Sequence, residues 1–180
     1  MNTLWIIIWR LQPPTVGHTT LIDTALRDND LVLVLLWGNG EVDDKNPLSF
    51  EQRDELLQLQ YVNQDLLIDY LLDKKSDEAW VDSISGKINT FGLYDQVTFY
   101  AGDLENDSAV LALQKYESNL FIDSVCYHEI ARSNVTTMYD WAQTPISATL
   151  VRKAIWEWKF EDIKRAIPKN IRKEIKALFS

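Results

Sequence analysis

Short apolar runs rich in β-branched and aromatic residues alternate along this chain with segments of helical period, and that alternation narrows the fold more than any other feature. Residues 4–9 read as a first strand. Residues 17–27, apolar at Leu21, Ile22, Ala25 and Leu26, read as the helix behind it. Leu31 to Trp37 is a continuous apolar run, the pattern of a parallel strand buried on both faces. Gly38-Asn39-Gly40 breaks that run. Ser49, followed three residues on by Gln52, then gives a capping-box signature that predicts a helix over 50–60. Further strands are predicted over 66–72, 97–101 and 119–125. Between them fall a helix from Ser76 or Asp77 to about Phe91 and another over 107–117. Residues 127–145 are polar and irregular, as in a loop over a site, and Thr144 or Ser147 opens a final helical region broken near Pro168. Such alternation predicts an α/β fold: a doubly wound parallel sheet with helices on both faces and a helical C-terminal segment. With no internal repeat and no linker, residues 1–180 are expected to form a single domain.

At 180 residues and 46% hydrophobic content, the chain can bury a sizeable core. Its single cysteine, Cys126, rules out an intramolecular disulfide or a thiolate metal cluster and fits a reducing cytoplasm. The apolar start meets Arg10 too early to span a membrane and reads as a buried strand, not a signal peptide. A formal charge of −9 disfavours a nucleic-acid partner. The basic run Lys164, Arg165, Lys169, Arg172, Lys173 and Lys176 reads as the solvated face of the terminal helices.

Two segments carry chemistry. The first, Arg10-Leu11-Gln12-Pro13-Pro14-Thr15-Val16-Gly17-His18, follows the first strand and opens a helix. Gly17 lets a phosphate approach the backbone, and the helix terminus offers free N–H groups. Thr15 and His18 stand one turn apart; as a simpler alternative, Thr15 only caps the helix. The second segment, Ile146-Ser147-Ala148-Thr149-Leu150-Val151-Arg152, places hydroxyls at a helix start and an arginine fork a turn further on, suited to a pair of phosphoryl oxygens. Here the simpler alternative is Ser147 as a plain N-cap. Both segments together suggest one polyphosphate site built from both ends of the chain. There is no Gly-Lys-Ser/Thr P-loop. His18 and His128 are too few for a histidine metal site, and His128 reads as structural or as a loop residue.

These segments resemble the (H/T)xGH and ISxTxxR motifs of the nucleotidyltransferase superfamily, and within it the archaeal and phage type of nicotinamide mononucleotide adenylyltransferase. Three further segments are similar to that group. Arg10-x-Gln12-Pro13 looks like its RFQP start. Asn46-Pro47-Leu48-Ser49-Phe50-Glu51-Gln52-Arg53 looks like its NPFTxxER segment. Trp80-Val81-Asp82 looks like a WVxxV segment whose tryptophan stacks on the nicotinamide ring. The resemblance covers most of the chain and is weakest between residues 102 and 140.

It implies a Rossmann-like fold and transfer of AMP from ATP to nicotinamide mononucleotide by direct attack on the α-phosphorus, giving NAD and pyrophosphate. His18, Arg152 and Thr15 would act on the reacting phosphates. Arg10, Gly17, Arg53, Ser147 and Thr149 would bind ATP, and Trp80 would hold the acceptor. Mg²⁺ would be bound mainly through substrate phosphates, with no dedicated protein metal site. No nucleic acid or membrane partner is implied; assembly into a homo-oligomer is left open. The chain departs from the pattern at Thr15, at Val16, at Glu41-Val42-Asp43-Asp44 and at Gln143, where the archaeal group has other polar or cationic residues. Two other enzymes of the superfamily, a phosphopantetheine adenylyltransferase and a cytidylyltransferase, therefore stay open as alternatives, as does a non-catalytic nucleotide-binding sensor.

Overall fold

The computed structural model describes residues 2–29, 31–130, 147–157 and 159–179. Five strands form one sheet: β1 (Thr3–Trp9), β2 (Val32–Gly38), β3 (Leu66–Leu72), β4 (Gln96–Ala101) and β5 (Ser124–Glu129). Their order across the sheet is β3-β2-β1-β4-β5, and every pairing is parallel. This is a Rossmann-like α/β fold. The chain builds outward from β1 through β2 to β3, then returns to lay β4 against the other side of β1. The reversal opens a crevice beyond the carboxyl ends of β1 and β4, where ligands bind in sheets of this class.

Alternation along β1 sorts its side chains between two cores. Leu4, Ile6 and Ile8 face a cluster with Trp80, Val81, Ile84 and Ile88 of α3 (Asp77–Phe91) and with Ala109, Ala112 and Leu113 of α4 (Ser108–Lys115). Ile7 faces the other side, with Leu21, Ile22 and Ala25 of α1 (Val16–Asp28) and Phe50 and Leu57 of α2 (Phe50–Gln60). A third cluster joins Leu48 and Leu56 to Val151 and Ile155 of α5 (Ala148–Trp156), Ile163 of α6 (Phe160–Ile163), Ile171, and Ile175 of α7 (Arg172–Leu178). That cluster fixes the C-terminal helices against α2 and brings α5 to the crevice.

Helix α2 spans the predicted residues because its start is doubly specified. The Ser49 N–H donates to Gln52 Oε1 at 2.8 Å, and the Gln52 N–H donates to Ser49 Oγ at 3.3 Å. The fifth strand is a correction: it runs from Ser124 to Glu129, not over 119–125. Residues Glu117–Leu120 form a 3₁₀ turn, and Phe121 then adopts a left-handed φ of 53° that ends it. The apolar triplet at 120–122 is thus a turn that buries Leu120 and exposes Phe121. Of the predicted loop over 127–145, residues 127–129 belong to β5, and 131–145 lie outside the described residues. The basic C-terminal run is exposed at Lys164, Arg165, Lys169, Lys173 and Lys176, as expected of a solvated face.

Candidate active site

A cavity of about 410 Å³ lies in the crevice, lined by the end of β1, the β1–α1 loop, Trp37, Lys45, Asn46, Asp107 and the first turns of α5. Four of the expected site residues line it: Arg10, His18, Thr149 and Arg152. Each arrives by a different route. Arg10 follows directly on β1, His18 stands in the first turn of α1, and Thr149 and Arg152 share one face of α5.

His18 is held in a defined protonation state. The Thr15 backbone N–H donates to His18 Nδ1 at 3.0 Å, and Thr15 Oγ1 lies 2.9 Å from the same nitrogen. Nδ1 is therefore the acceptor, and the neutral ring carries its proton on Nε2. Among the described residues no protein group accepts from Nε2. Burial lowers the His18 pKa from 6.5 to about 4, so the ring is a neutral hydrogen-bond donor at physiological pH. The edge of Trp9 packs on the ring, with centroids 4.7 Å apart.

Arg10 lies over the face of Trp37, its guanidinium carbon 4.5 Å from the ring centroid, and is otherwise exposed. Trp37 is fixed in turn by an Nε1–H bond to the Asp73 carboxylate. Arg152 donates through Nη1 to the Gln12 carbonyl and through Nη2 to Thr149 Oγ1 at 3.1 Å. Its pKa is lowered by burial and then by Arg10. Among the described residues, no carboxylate lies within ion-pair distance of Arg10, Arg53 or Arg152. In a protein of formal charge −9, Arg10 and Arg152 thus bring positive charge to the cavity, a field suited to an anion.

Arg53 is buried among main-chain carbonyls. It is 2% exposed, donates to the Ser49, Arg10 and Trp37 carbonyls at 3.2, 2.6 and 3.0 Å, and does not line the cavity. Burial and then Arg10 lower its pKa to about 10. Arg53 ties the ends of β1 and β2 to the start of α2. Ser147 is likewise the N-cap of α5, accepting from the Leu150 N–H at 3.2 Å, and is not among the lining residues. Gly17 falls within the first turn of α1. The ring of His128 packs on Tyr100 with centroids 4.9 Å apart, at the far strand of the sheet. Ile146 and Gln143 lie outside the described residues.

Trp80 is 6% exposed and belongs to the core, with its ring 5.4 Å from that of Trp37. It also lines a smaller cavity of about 100 Å³ with Trp37, Asp73, Asp77 and Ser108. Trp37 is the wall common to both cavities.

Sequence reasoning missed Trp37, Lys45, Asn46 and Asp107, and it gave Gln12 no role. Asn46 had a signal in its neighbour. Asp43 Oδ1 accepts from the Lys45 and Asn46 N–H groups at 2.7 and 2.6 Å, an Asx turn foreshadowed by Asp43 and Asn46 flanking a short polar loop. Among the described residues no cluster of His, Cys, Asp or Glu could hold a metal ion, and Asp107 is the one carboxylate among them that lines the cavity. This donor set suits Mg²⁺ carried in on phosphate oxygens, which needs few protein ligands.

No protein-family profile matches the chain, and no curated protein is significantly similar to it in sequence. Solved structures do share its fold. A bifunctional NMN adenylyltransferase/ADP-ribose pyrophosphatase of Francisella tularensis, crystallised with AMP and a manganese ion, is 16% identical with a TM-score of 0.68; the match covers 99% of this chain and 51% of that one. A protein of Vibrio parahaemolyticus, provisionally assigned as a nicotinate-nucleotide adenylyltransferase, is 18% identical over the whole of both chains with a TM-score of 0.59. The TmcAL protein of Thermotoga maritima, bound with α-thio ATP, is 13% identical with a TM-score of 0.64, over 98% of this chain and 56% of that one. The present chain thus spans about half the length of the Francisella protein. Among the described residues no helix is long and apolar enough to cross a membrane.

Proposed function

We propose that this protein is an adenylyltransferase that joins nicotinamide mononucleotide to the AMP part of ATP, releasing pyrophosphate. One observation carries the reading. Arg10 and Arg152, with no carboxylate partner among the described residues, converge with the neutral donor His18 on one cavity beyond the carboxyl ends of the central strands. The fold shared with two proteins assigned to this reaction class, one holding AMP, supports it.

An ionised phosphate oxygen of the acceptor attacks the α-phosphorus of ATP in line. A new P–O bond forms as the bond to the bridging oxygen breaks, and pyrophosphate leaves with the electron pair. Because the nucleophile is already ionised, no general base is required, and His18 need not accept a proton. Its Nε2–H and the Arg10 and Arg152 guanidinium groups stabilise the charge gathering on the phosphoryl and bridging oxygens. Thr15 fixes the imidazole, Thr149 orients Arg152, and Arg53 holds the surrounding main chain. Mg²⁺ on the phosphates would neutralise charge, with Asp107 the protein carboxylate at hand. The Trp37 and Trp80 rings, tilted at 52° to each other, line the cavity beside the cleft, and the acceptor's ring would lie against them there. The reading places the protein in the cytoplasm, where its substrates are, with no nucleic-acid or membrane partner.

The test is a product assay with ATP, Mg²⁺ and nicotinamide mononucleotide, run beside phosphopantetheine and a CTP/polyol phosphate pair. NAD and pyrophosphate appearing together are expected. Product with another acceptor would move the specificity and keep the chemistry. ATP binding with no pyrophosphate from any acceptor would replace the enzyme with a sensor.

A further inference from the structure

Gln12 is 3% exposed in the loop that lines the cavity, and both polar atoms of its side chain are bonded within the protein. Its Nε2 donates to the Leu48 carbonyl at 2.8 Å, and its Oε1 accepts from the Leu48 N–H at 2.9 Å. Its own backbone carbonyl accepts from Arg152 Nη1. The preceding residue, Leu11, is 1% exposed and left-handed at φ 47°, a conformation a leucine adopts only where its surroundings impose it.

We propose that Gln12 is the positioning residue of the cleft. Its reciprocal amide clamp locks the β1–α1 loop to the loop that carries Lys45 and Asn46, and this aims the Gln12 carbonyl that holds Arg152. Two walls of the cavity thereby keep a fixed separation, and a guanidinium that Thr149 holds on one side is fixed on the other as well. The inference rests on the polyphosphate-binding reading of the cleft, but not on any particular acceptor.

A double-mutant cycle tests it, with calorimetry of MgATP and of inorganic tripolyphosphate as the readout. Gln12→Met removes the clamp at nearly constant volume. It is expected to weaken binding roughly tenfold in the wild-type background and by less than about twofold in the Arg152→Ala background. Equal weakening in both backgrounds would overturn the proposal, because a purely structural residue does not depend on Arg152. Gln12→Asn keeps the amide and the charge but shortens the side chain by one methylene, which takes it out of reach of the Leu48 main chain. It runs in parallel and decides the matter if the Met variant does not fold by circular dichroism. Coupling without pyrophosphate release would sink adenylyl transfer and keep Gln12 as the positioner. Pyrophosphate release without coupling would do the reverse. Absence of tripolyphosphate binding in the wild type would overturn both.

Discussion

His18 is held by its neighbours in one neutral tautomer, over a wider pH range than its ordinary pKa would give it. The Thr15 N–H occupies Nδ1, burial disfavours the imidazolium, and the ring remains a neutral donor. The consequence for stability has a definite sign. Between pH 6.5 and about 4 the unfolded chain protonates this histidine and the folded one does not, so stability falls as pH falls through that window and is fully retained above it. Denaturant unfolding across the window is expected to show a steeper loss for the wild type than for His18→Gln; parallel curves would mean that the folded ring titrates normally. The same state predicts that turnover has no inflection near pH 6.5 from this group. Arg53 carries the opposite lesson. In the sequence it is an arginine in the first turn of a helix beside other site residues, and nothing there distinguishes a phosphate ligand from a main-chain organiser. Which one it becomes depends on whether the Arg10 and Trp37 carbonyls converge on it, and those come from the residue after β1 and from β2.

At the level of elements, the chain was readable wherever local chemistry and apolar period agreed. Helix α2 is the clearest case: the Ser49–Gln52 capping box fixes its start against a weakly amphipathic sequence. Ser49→Ala is expected to lower stability by about 1 kcal/mol, measured by chemical denaturation, with turnover per folded molecule little changed if α2 keeps its place through Arg53. Strand β5 was misplaced because Leu120, Phe121 and Ile122 have strand-like composition. Its true register is set by pairing with β4, where Gln96 meets Ser124. Trp37 illustrates the same limit for the site. It looks like the last residue of a buried strand, and only the fold reveals that its ring supports Arg10 on one side and borders Trp80 on the other. Arg10, His18, Thr149 and Arg152 stand in two segments that match a known motif pair, and so their place at one cavity was legible. Lys45 and Asp107 stand in no such pattern, since their nearness to the cavity is produced by loops, and Asn46 showed only its turn.

For the molecule as a whole, a formal charge of −9 surrounds a cleft that gathers cations. Under the proposed function, approaching ATP would meet the long-range repulsion first and the arginines last. Mobile salt screens charges beyond about 8 Å at physiological ionic strength and touches close contacts less. Adding potassium chloride from a low-salt buffer is therefore expected to raise the association rate of ATP while also raising its dissociation rate, as stopped-flow fluorescence of the tryptophans near the cleft would read. An association rate that falls from the first addition would mean that the arginines dominate the field even at a distance. A last consequence follows from the bond between Arg152 and the Gln12 carbonyl, partners 140 residues apart in the chain. During synthesis the early strands and helices can pair and pack as they emerge, because each meets neighbours already made. The cleft cannot. Its Arg152 arm is made 140 residues after the loop that receives it, so a nascent chain lays down its strands and most of its helices before this bond can close.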